Sequence, residues 1–597
     1  MSHYHSLGIA ALMMVLAGSA ASPAAEAVVP DVLDPQPFGP DFPGLDSWAT
    51  GQWWMKASAS PAAAQAARQR NQQQQQKKRR GPAVPFLLDV PRDETIAFAL
   101  YTLTVPPGDP KHSTLKLSTQ LFPLKPGEPN TVRLEVDHGD GWREVARAVV
   151  HYPGWDASFR VEGWDATQTV PYRVLHGERA AFPGSIRPDP AAKPEIAVGV
   201  MSCNSSRTPG QRQELIDGLR AADPDLLFFA GDQTYRHTEH TGGWIEFGLQ
   251  FRDIIRDRPT VTIPDDHDVG QANLWGNGGG RATNSAGASG GYFYPASYVN
   301  MVQRQQTAHL PDPVDPAPIK GGIGVYFTRL VVGGIDFAIL EDRKFKTGPD
   351  GTIPQMGPRP DHIVDPDYDR AAIDLPGLKL LGERQLNWLH TWADDWQGVR
   401  AKCALSQTAF CGAVHLHGNR DNRLLADLDC NGWPQSGRNA ALRILKRAGA
   451  VHLCGDQHLA VVVQHGIDDY RDGPWSFTSP ALVNTIYGRW WHPEDEQPGP
   501  NPVPGSPLPW TGDFEDGLGN KITMVAYANP ADTSDERQRA DGYGMARFNF
   551  PGRTITFECF PRFTSRGADG KPTQFPGWPV SVPLENKPQP QGQELNR

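Results

Sequence analysis

Two regimes of apolar spacing divide the chain. Between residues 85 and 190, apolar and polar residues alternate with period two in short runs at 95–105, 115–121, 132–136, 142–150, 159–161 and 170–174. That spacing is the signature of half-buried strands. His138-Gly139-Asp140-Gly141 separates two of these runs and predicts a hairpin. About seven short strands bounded by turn residues predict a β-sandwich over 85–190. From residue 195 the texture changes. Continuous apolar runs at 196–202, 226–230, 260–263, 324–332, 335–340, 403–410, 451–454 and 460–465 read as buried strands. Segments with helical apolar spacing fall at 209–222, 244–256, 297–310, 382–396 and 437–447. Strands alternating with helices predict α/β layers, with sites at the carboxyl ends of strands. Residues 545–560 read as a terminal hairpin.

The two ends read differently. Residues 7–21 form an apolar run, short of the ~20 residues a membrane span needs. Small residues follow, so residues 1–27 read as a secretory signal peptide. No other stretch is long and apolar enough to span a membrane. The expected location is therefore outside the cytoplasm, periplasmic or extracellular. Residues 28–84, with Gln72–Gln76 followed by Lys77-Lys78-Arg79-Arg80, read as a low-complexity, solvated linker rather than a nucleic-acid patch. Residues 576–597 read as a Pro-rich polar tail.

Composition narrows the class. The 597 residues include 61 Gly and 56 Pro, too many for a coiled coil or helical bundle. Hydrophobic residues make up 39% and include 17 Trp and 24 Phe, which excludes disorder throughout. A net charge of −10 argues against a general nucleic-acid binder, which needs basic surface to neutralise phosphates. Six cysteines are too few for a disulfide scaffold. What is left is a large, loop-rich globular protein; a monomer is favoured.

Four apolar strands end in residues able to hold metals. The first ends in Ser202-Cys203-Asn204, the second in Gly231-Asp232-Gln233-Thr234-Tyr235-Arg236-His237, the third in Pro264-Asp265-Asp266-His267-Asp268. A late strand ends in Gly455-Asp456-Gln457-His458. Carboxylate oxygens with imidazole suit a multinuclear metal centre, and a shared carboxylate holds two cations ~3.5–4 Å apart. Three carboxylates within Asp265–Asp268 repel one another unless a cation or solvent lies between them.

In this order the motifs resemble those of the calcineurin-like metallophosphoesterases. Gly231-Asp232-Gln233-Thr234-Tyr235 matches the Gly-Asp-x-x-Tyr form of purple acid phosphatases. Asp265-Asp266-His267-Asp268 stands in the Gly-Asn-His-Asp slot, with Asp266 in place of the Asn ligand. Gly455-Asp456-Gln457-His458 stands in the last slot, with Asp456 in place of the first His. These replacements, together with Ser202-Cys203, Leu340-Glu341-Asp342-Arg343, Gln385-x-x-Trp388-Leu389 and Ser406-Gln407, resemble the PhoD-like (alkaline phosphatase D) branch. The resemblance covers residues 86–560. It implies a catalytic domain over 191–575 built as an αββα sandwich, two mixed sheets flanked by helices, behind the N-terminal β-sandwich. Asp232 would bridge the metals. Cys203 and Tyr235 would bind Fe3+ as thiolate and phenolate. Asp266, Asp456 and His458 would complete the shell, with Ca2+ as the partner ion. Zn, Mn or Mg in a binuclear divalent site is the alternative. His267 would donate a proton or stabilise phosphate charge, and Asn204, Arg236 and Arg343 would contact phosphate. The implied reaction is phosphate-ester hydrolysis by in-line attack of a metal-bridging oxide or hydroxide.

The sequence departs from the branch in three places. Gln271-Ala272-Asn273 follows the third motif, which leaves open whether Asn273 joins the shell. Val414-His415-Leu416-His417 fits Val-x-x-His, yet His417 lies beyond the expected strand. No twin arginine precedes the apolar run. With Cys203 assigned to metal, the other five cysteines cannot all pair within one chain. A different class of function, a metal-free extracellular carbohydrate- or protein-binding β-sandwich, would use Trp48, Trp53, Trp54, Trp490 and Trp491 for stacking.

Overall fold

The computed structural model describes residues 27–51, 90–208, 210–485, 487–567 and 570–585. The leader expected in 1–27 falls outside the described residues save for its last position, as do 52–84 of the expected linker, 85–89 at the start of the expected β-sandwich, and 586–597 of the tail. Among the described residues no helix is long and apolar enough to cross a membrane.

Two sheets form the centre. In the first, Thr260–Thr262, Leu226–Phe229 and Glu195–Asn204 run parallel, and Gly542–Asn549, Thr554–Pro561 and Val580–Pro583 continue antiparallel. Ala481–Val483 pairs in parallel with the carboxyl end of Glu195–Asn204. The second sheet has the order Thr328–Val332, Ile335–Ile339, Ala401–Thr408, Val451–Gly455, Trp475–Thr478, Ala460–His465, Lys521–Ala528, Gly512–Glu515. Its central pairings are parallel.

Strand alternation sorts the layers. Ile196, Val198, Val200, Leu226 and Phe228 share a cluster with Leu330, Phe337, Ile339, Leu405 and Leu453 of the second sheet. The residues between them, Ala197, Met201, Leu227 and Phe229, pack instead with the helices Gln213–Ala222 and His240–Ile255. On the far side, Ala338 and Ala404 pack with the helices Gly382–Asp394 and Gln435–Arg447. The layers are helix, sheet, sheet, helix, as the motifs implied.

N-terminal to these layers lie a three-stranded sheet (Ile96–Thr104, Ser113–Leu121, Asp156–Trp164) and a four-stranded sheet (Trp142–Val149, Thr131–Asp137, Val170–His176, Ala180–Ile186). Leu115 and Leu117 of one sheet and Val132, Leu134, Tyr172 and Val174 of the other join one cluster, which runs on into the helix His240–Ile255. The hairpin at 138–141 forms: Asp137 pairs with Trp142, and Asp137 Oδ1 accepts from the amides of Gly139 (2.7 Å) and Gly141 (3.0 Å).

Both expected non-core margins are partly packed. Residues 27–51 are not free linker: Val29, Phe38, Leu45 and Trp48 are buried, and the Val29 amide donates to Glu128 O (2.8 Å). Four large apolar anchors at irregular intervals carry no period, so pattern alone reads Pro and Ala. The tail contributes Val580–Pro583, paired with Thr554–Pro561. An edge strand tolerates the proline content that makes this segment read as a tail. All six cysteines are buried free thiols.

Candidate metal centre

The parallel strands deliver their polar ends to one place. The Cys203 amide donates to Gly231 O (3.1 Å) and the Asn204 amide to Asp232 O (2.9 Å), locking two strand ends together. Asp268 Oδ2 accepts from the amides of Asp232 (2.9 Å) and Asp265 (3.0 Å), and its Oδ1 accepts from the Thr234 amide (3.2 Å). Its carboxylate thus staples the second and third loops. Ser202 Oγ accepts from the Asp456 amide at 2.8 Å, which joins the second sheet to the first. Two glycines permit these approaches. A Cβ on Gly231 (φ +119°) would lie 2.5 Å from Asp265 Cβ, and one on Gly455 would lie 2.2 Å from Ser202 Cβ. Cys203, Asp232, Asp456 and His458 all have left-handed φ of 55–65°. Such backbone costs of order 1–2 kcal/mol per non-Gly residue, and its concentration at four converging side chains marks a site where geometry outweighs strain.

Donor atoms gather in three overlapping groups: Cys203, Asp232 and His458; Asp232, Asp266 and His267; Asp265, Asp266 and Asp456. Within each group they lie within 4.8 Å of one another. Asp232 is common to the first two, the position required of a bridge. Cys203 Sγ lies 3.8 Å from Asp232 Oδ2. Tyr235 enters through its hydroxyl, 2.9 Å from His458 Nε2. The six residues expected to hold metal therefore converge.

Electrostatically the group is unfinished. Burial, reinforced by the charges of Asp265, Asp268 and Asp456, pushes the Asp232 carboxyl well above the usual range. Burial, with Asp232 next, does the same to Asp266. The Cys203 thiol and Tyr235 phenol are likewise driven up, by burial first and neighbouring anions second. Asp232 Oδ1 and Asp266 Oδ1 are buried with no hydrogen-bond partner. An orphaned carboxylate oxygen in a dry site is costly, and a cation relieves both it and the repulsion. The donor set fits a binuclear centre on this ground.

The expected phosphate contacts fare differently. Arg343 is buried among carboxylates, bonding Asp265 (2.7 Å), Asp429 (2.5 Å) and Asp456 (3.1 Å). It is an internal counter-cation rather than an open substrate contact. Asn204 is consumed internally: its Oδ1 accepts from Arg212 Nε (2.9 Å) and its Nδ2 donates to Gln250 Oε1 (2.8 Å). Arg236 pairs with Glu246 at 2.8 Å. Asn273 is engaged elsewhere, its amide donating to Asp361 Oδ2 (2.9 Å). His417 sits in a separate group.

His267 does face the donors. Its Nε2 lies 3.9 Å from Asp266 Oδ2, its side chain is 23% exposed, and its Nδ1 is 2.5 Å from His237 Nε2. Burial, then His237 and His458, holds its pKa well below 6.5.

Several residues here carry no motif signal. Asn484 Oδ1 lies 3.0 Å from His458 Nδ1 and fixes that ring. Arg207 is exposed and its charge depresses both His237 and His267. Arg489, whose Nη1 is buried without a partner, depresses His458. Arg207 in a turn and Arg489 in a three-residue strand have no periodicity to betray them; only the fold brings these two beside the histidines. Of the candidate stacking residues, Trp48, Trp490 and Trp491 are buried, so they pack beneath loops, and Trp53 and Trp54 lie outside the described residues.

No protein-family model matches the chain, and no curated protein matches it in sequence. Among solved structures, the chain is similar to that of PhoD, at 13% identity and a TM-score of 0.53, covering 83% of this chain and 90% of that one. A purple acid phosphatase from yellow lupin (Lupinus luteus) seeds matches at 10% identity and TM-score 0.47, covering 81% and 74%. A dimetal phosphatase from Danio rerio matches at 10% and 0.33, covering 65% and 99%. At such identities the likeness is one of fold, and the PhoD match carries it. The chain shares the fold of PhoD.

Proposed function

We propose that the protein is a metal-dependent phosphoric ester hydrolase. The observation that carries this reading is the pair of buried, unpartnered oxygens on Asp232 and Asp266 inside donor groups that share Asp232. Cys203, Tyr235 and His458 are soft or phenolic donors suited to a trivalent iron, with Asp232 as bridge. Asp266 and Asp456 offer the hard oxygens calcium prefers. Zn, Mn or Mg in both positions is the alternative. Bound cations would lower the pKa of a water and neutralise phosphate oxygens.

The chain's own residues do the rest. With His237 Nε2–H donating to His267 Nδ1, His267 keeps a proton on Nε2. As a neutral ring it donates that N–H as a hydrogen bond to the leaving oxygen or a phosphate oxygen and so stabilises charge developing there, without giving up the proton. Arg207 and Arg489 are the cations placed to steer and hold the phosphate, in place of the internally committed Arg343, Asn204 and Arg236. Arg343 instead keeps Asp265 and Asp456 in position. The apolar run at 7–21 supports export, to be checked by sequencing the mature N-terminus.

The deciding experiment combines elemental analysis with a panel of phosphomonoesters and phosphodiesters. Two metal ions per chain are expected at the proposed centre. Asp232→Asn should lose at least one of them and more than ~10³-fold in kcat, the scale of losing a metal-borne charge. Wild-type turnover and metal content in Asp232→Asn would overturn the reading. An iron occupant predicts visible charge-transfer absorption that Tyr235→Phe weakens or shifts.

A further inference from the structure

A second cluster shares no residue with the proposed hydrolytic centre. His362, His417 and Asp427 place ligand atoms within 4.8 Å of one another, and all three are buried. Backbone ladders set them there. His362 stands opposite Asp427 in the antiparallel pair His362–Ile363 and Ala426–Asp427. His417 is held in Leu416–Gly418, paired with Gly488–Trp490. The two imidazole rings meet edge to face, 4.9 Å apart at 73°.

We propose that His362, His417 and Asp427 form a mononuclear site for a divalent transition metal of the zinc class. Three observations support it. His417 Nε2 is buried, stands 3.3 Å from Asp427 Oδ2 and lacks hydrogen-bond geometry to any partner, so a ring nitrogen is aimed into the cluster and paired there only loosely, with a carboxylate. The other nitrogen is already spoken for: His417 Nδ1 meets the Tyr487 hydroxyl at 2.6 Å, the outer-sphere contact that fixes the tautomer and orientation of a metal-binding histidine. A further carboxylate is at hand, since Asp361 Oδ2 lies 3.6 Å from His362 Nε2. Two neutral imidazoles and a carboxylate select zinc-class ions over calcium or magnesium, which prefer all-oxygen shells. Ligands ~2.1 Å from one ion stand ~3–4 Å apart, so modest side-chain shifts complete the shell.

The strands involved are two or three residues long, too short to hold their loops by ladder bonds alone. A metal would pin them. Asp427 lies two residues before Asp429, which grips Arg343, so the pin supports the hydrolytic centre's counter-cation without belonging to it.

Co2+ is the probe, with elemental analysis of the full chain as isolated. Asp232→Asn, which takes metal from the hydrolytic centre, should still bind one Co2+ whose intense visible ligand-field bands are lost when His417→Ala is added to it. His417→Ala and His362→Ala should each lose one metal equivalent from the full chain while keeping those that depend on Asp232. Unchanged metal content and cobalt spectra in both histidine variants would mean a hydrogen-bonded core cluster and overturn the proposal. If those variants misfold by circular dichroism, the Asp232→Asn arm decides alone, and absence of a cobalt band overturns the site. Failure of the hydrolytic reading is separate, since it shows as metal content insensitive to Asp232.

Discussion

Asn484 illustrates what a single residue contributes here. Its amide oxygen fixes His458 Nδ1 at 3.0 Å and so presents Nε2 to the Tyr235 hydroxyl. Asn484→Ala should weaken metal binding ~10–100-fold, the usual cost of losing such an orienting partner. A metal-competition titration reads that loss, and the circular dichroism spectrum should not change. The residues in the motifs were legible because each follows an apolar strand. Asn484 was not, since it follows a three-residue strand, Ala481–Val483, that has no pattern of its own. Arg343 was legible as a cation near the site, yet its task was not. Only the folded arrangement shows three carboxylates closing around it, and a guanidinium so enclosed has no donor to spare for substrate.

At the scale of elements, the close seam between the sheets depends on a missing side chain. A Cβ on Gly455 would meet Ser202 Cβ at 2.2 Å, and neither backbone can retreat without breaking the bond from the Asp456 amide to Ser202 Oγ. Gly455→Ala should therefore cost about 3 kcal/mol, at the upper end of overpacking penalties. Urea denaturation measures this, and wild-type stability would contradict the seam described here. The buried parallel strands were read closely from sequence because fully covered strands are continuous apolar runs. Trp475–Thr478 and Lys521–Ala528 were not. They sit in a stretch rich in Gly, Pro and Asp, without helices to mark the spacing.

Across the whole molecule, buried acids set how stability responds to pH. Burial raises Asp541 to about 7, with Arg562 and Arg539 opposing in part. Its folded pKa exceeds the unfolded value of ~3.9, so the native state binds more protons. The contribution is complete below about pH 4 and is lost as pH rises through 7. In chelator-treated protein, Tm should fall between pH 5 and 8, and Asp541→Asn should flatten that slope. Parallel slopes in the two proteins would rule Asp541 out. Composition foretold a loop-rich body but not where its edges lie. The packed segment at 27–51 and the strand Val580–Pro583 rest on a few isolated anchors rather than a repeating pattern. The seam also has a consequence in time. Cys203 and Asp456, whose backbone oxygen lies 3.5 Å from the thiol sulfur, are 253 residues apart, and His458 is synthesised later still. No nascent chain carries the full donor set until the strand Val451–Gly455 of the second sheet has been made, and the set does not converge until that sheet has docked on the first. The proposed centre would thus take its ions only after folding, from whichever pool of metals surrounds the chain at that moment.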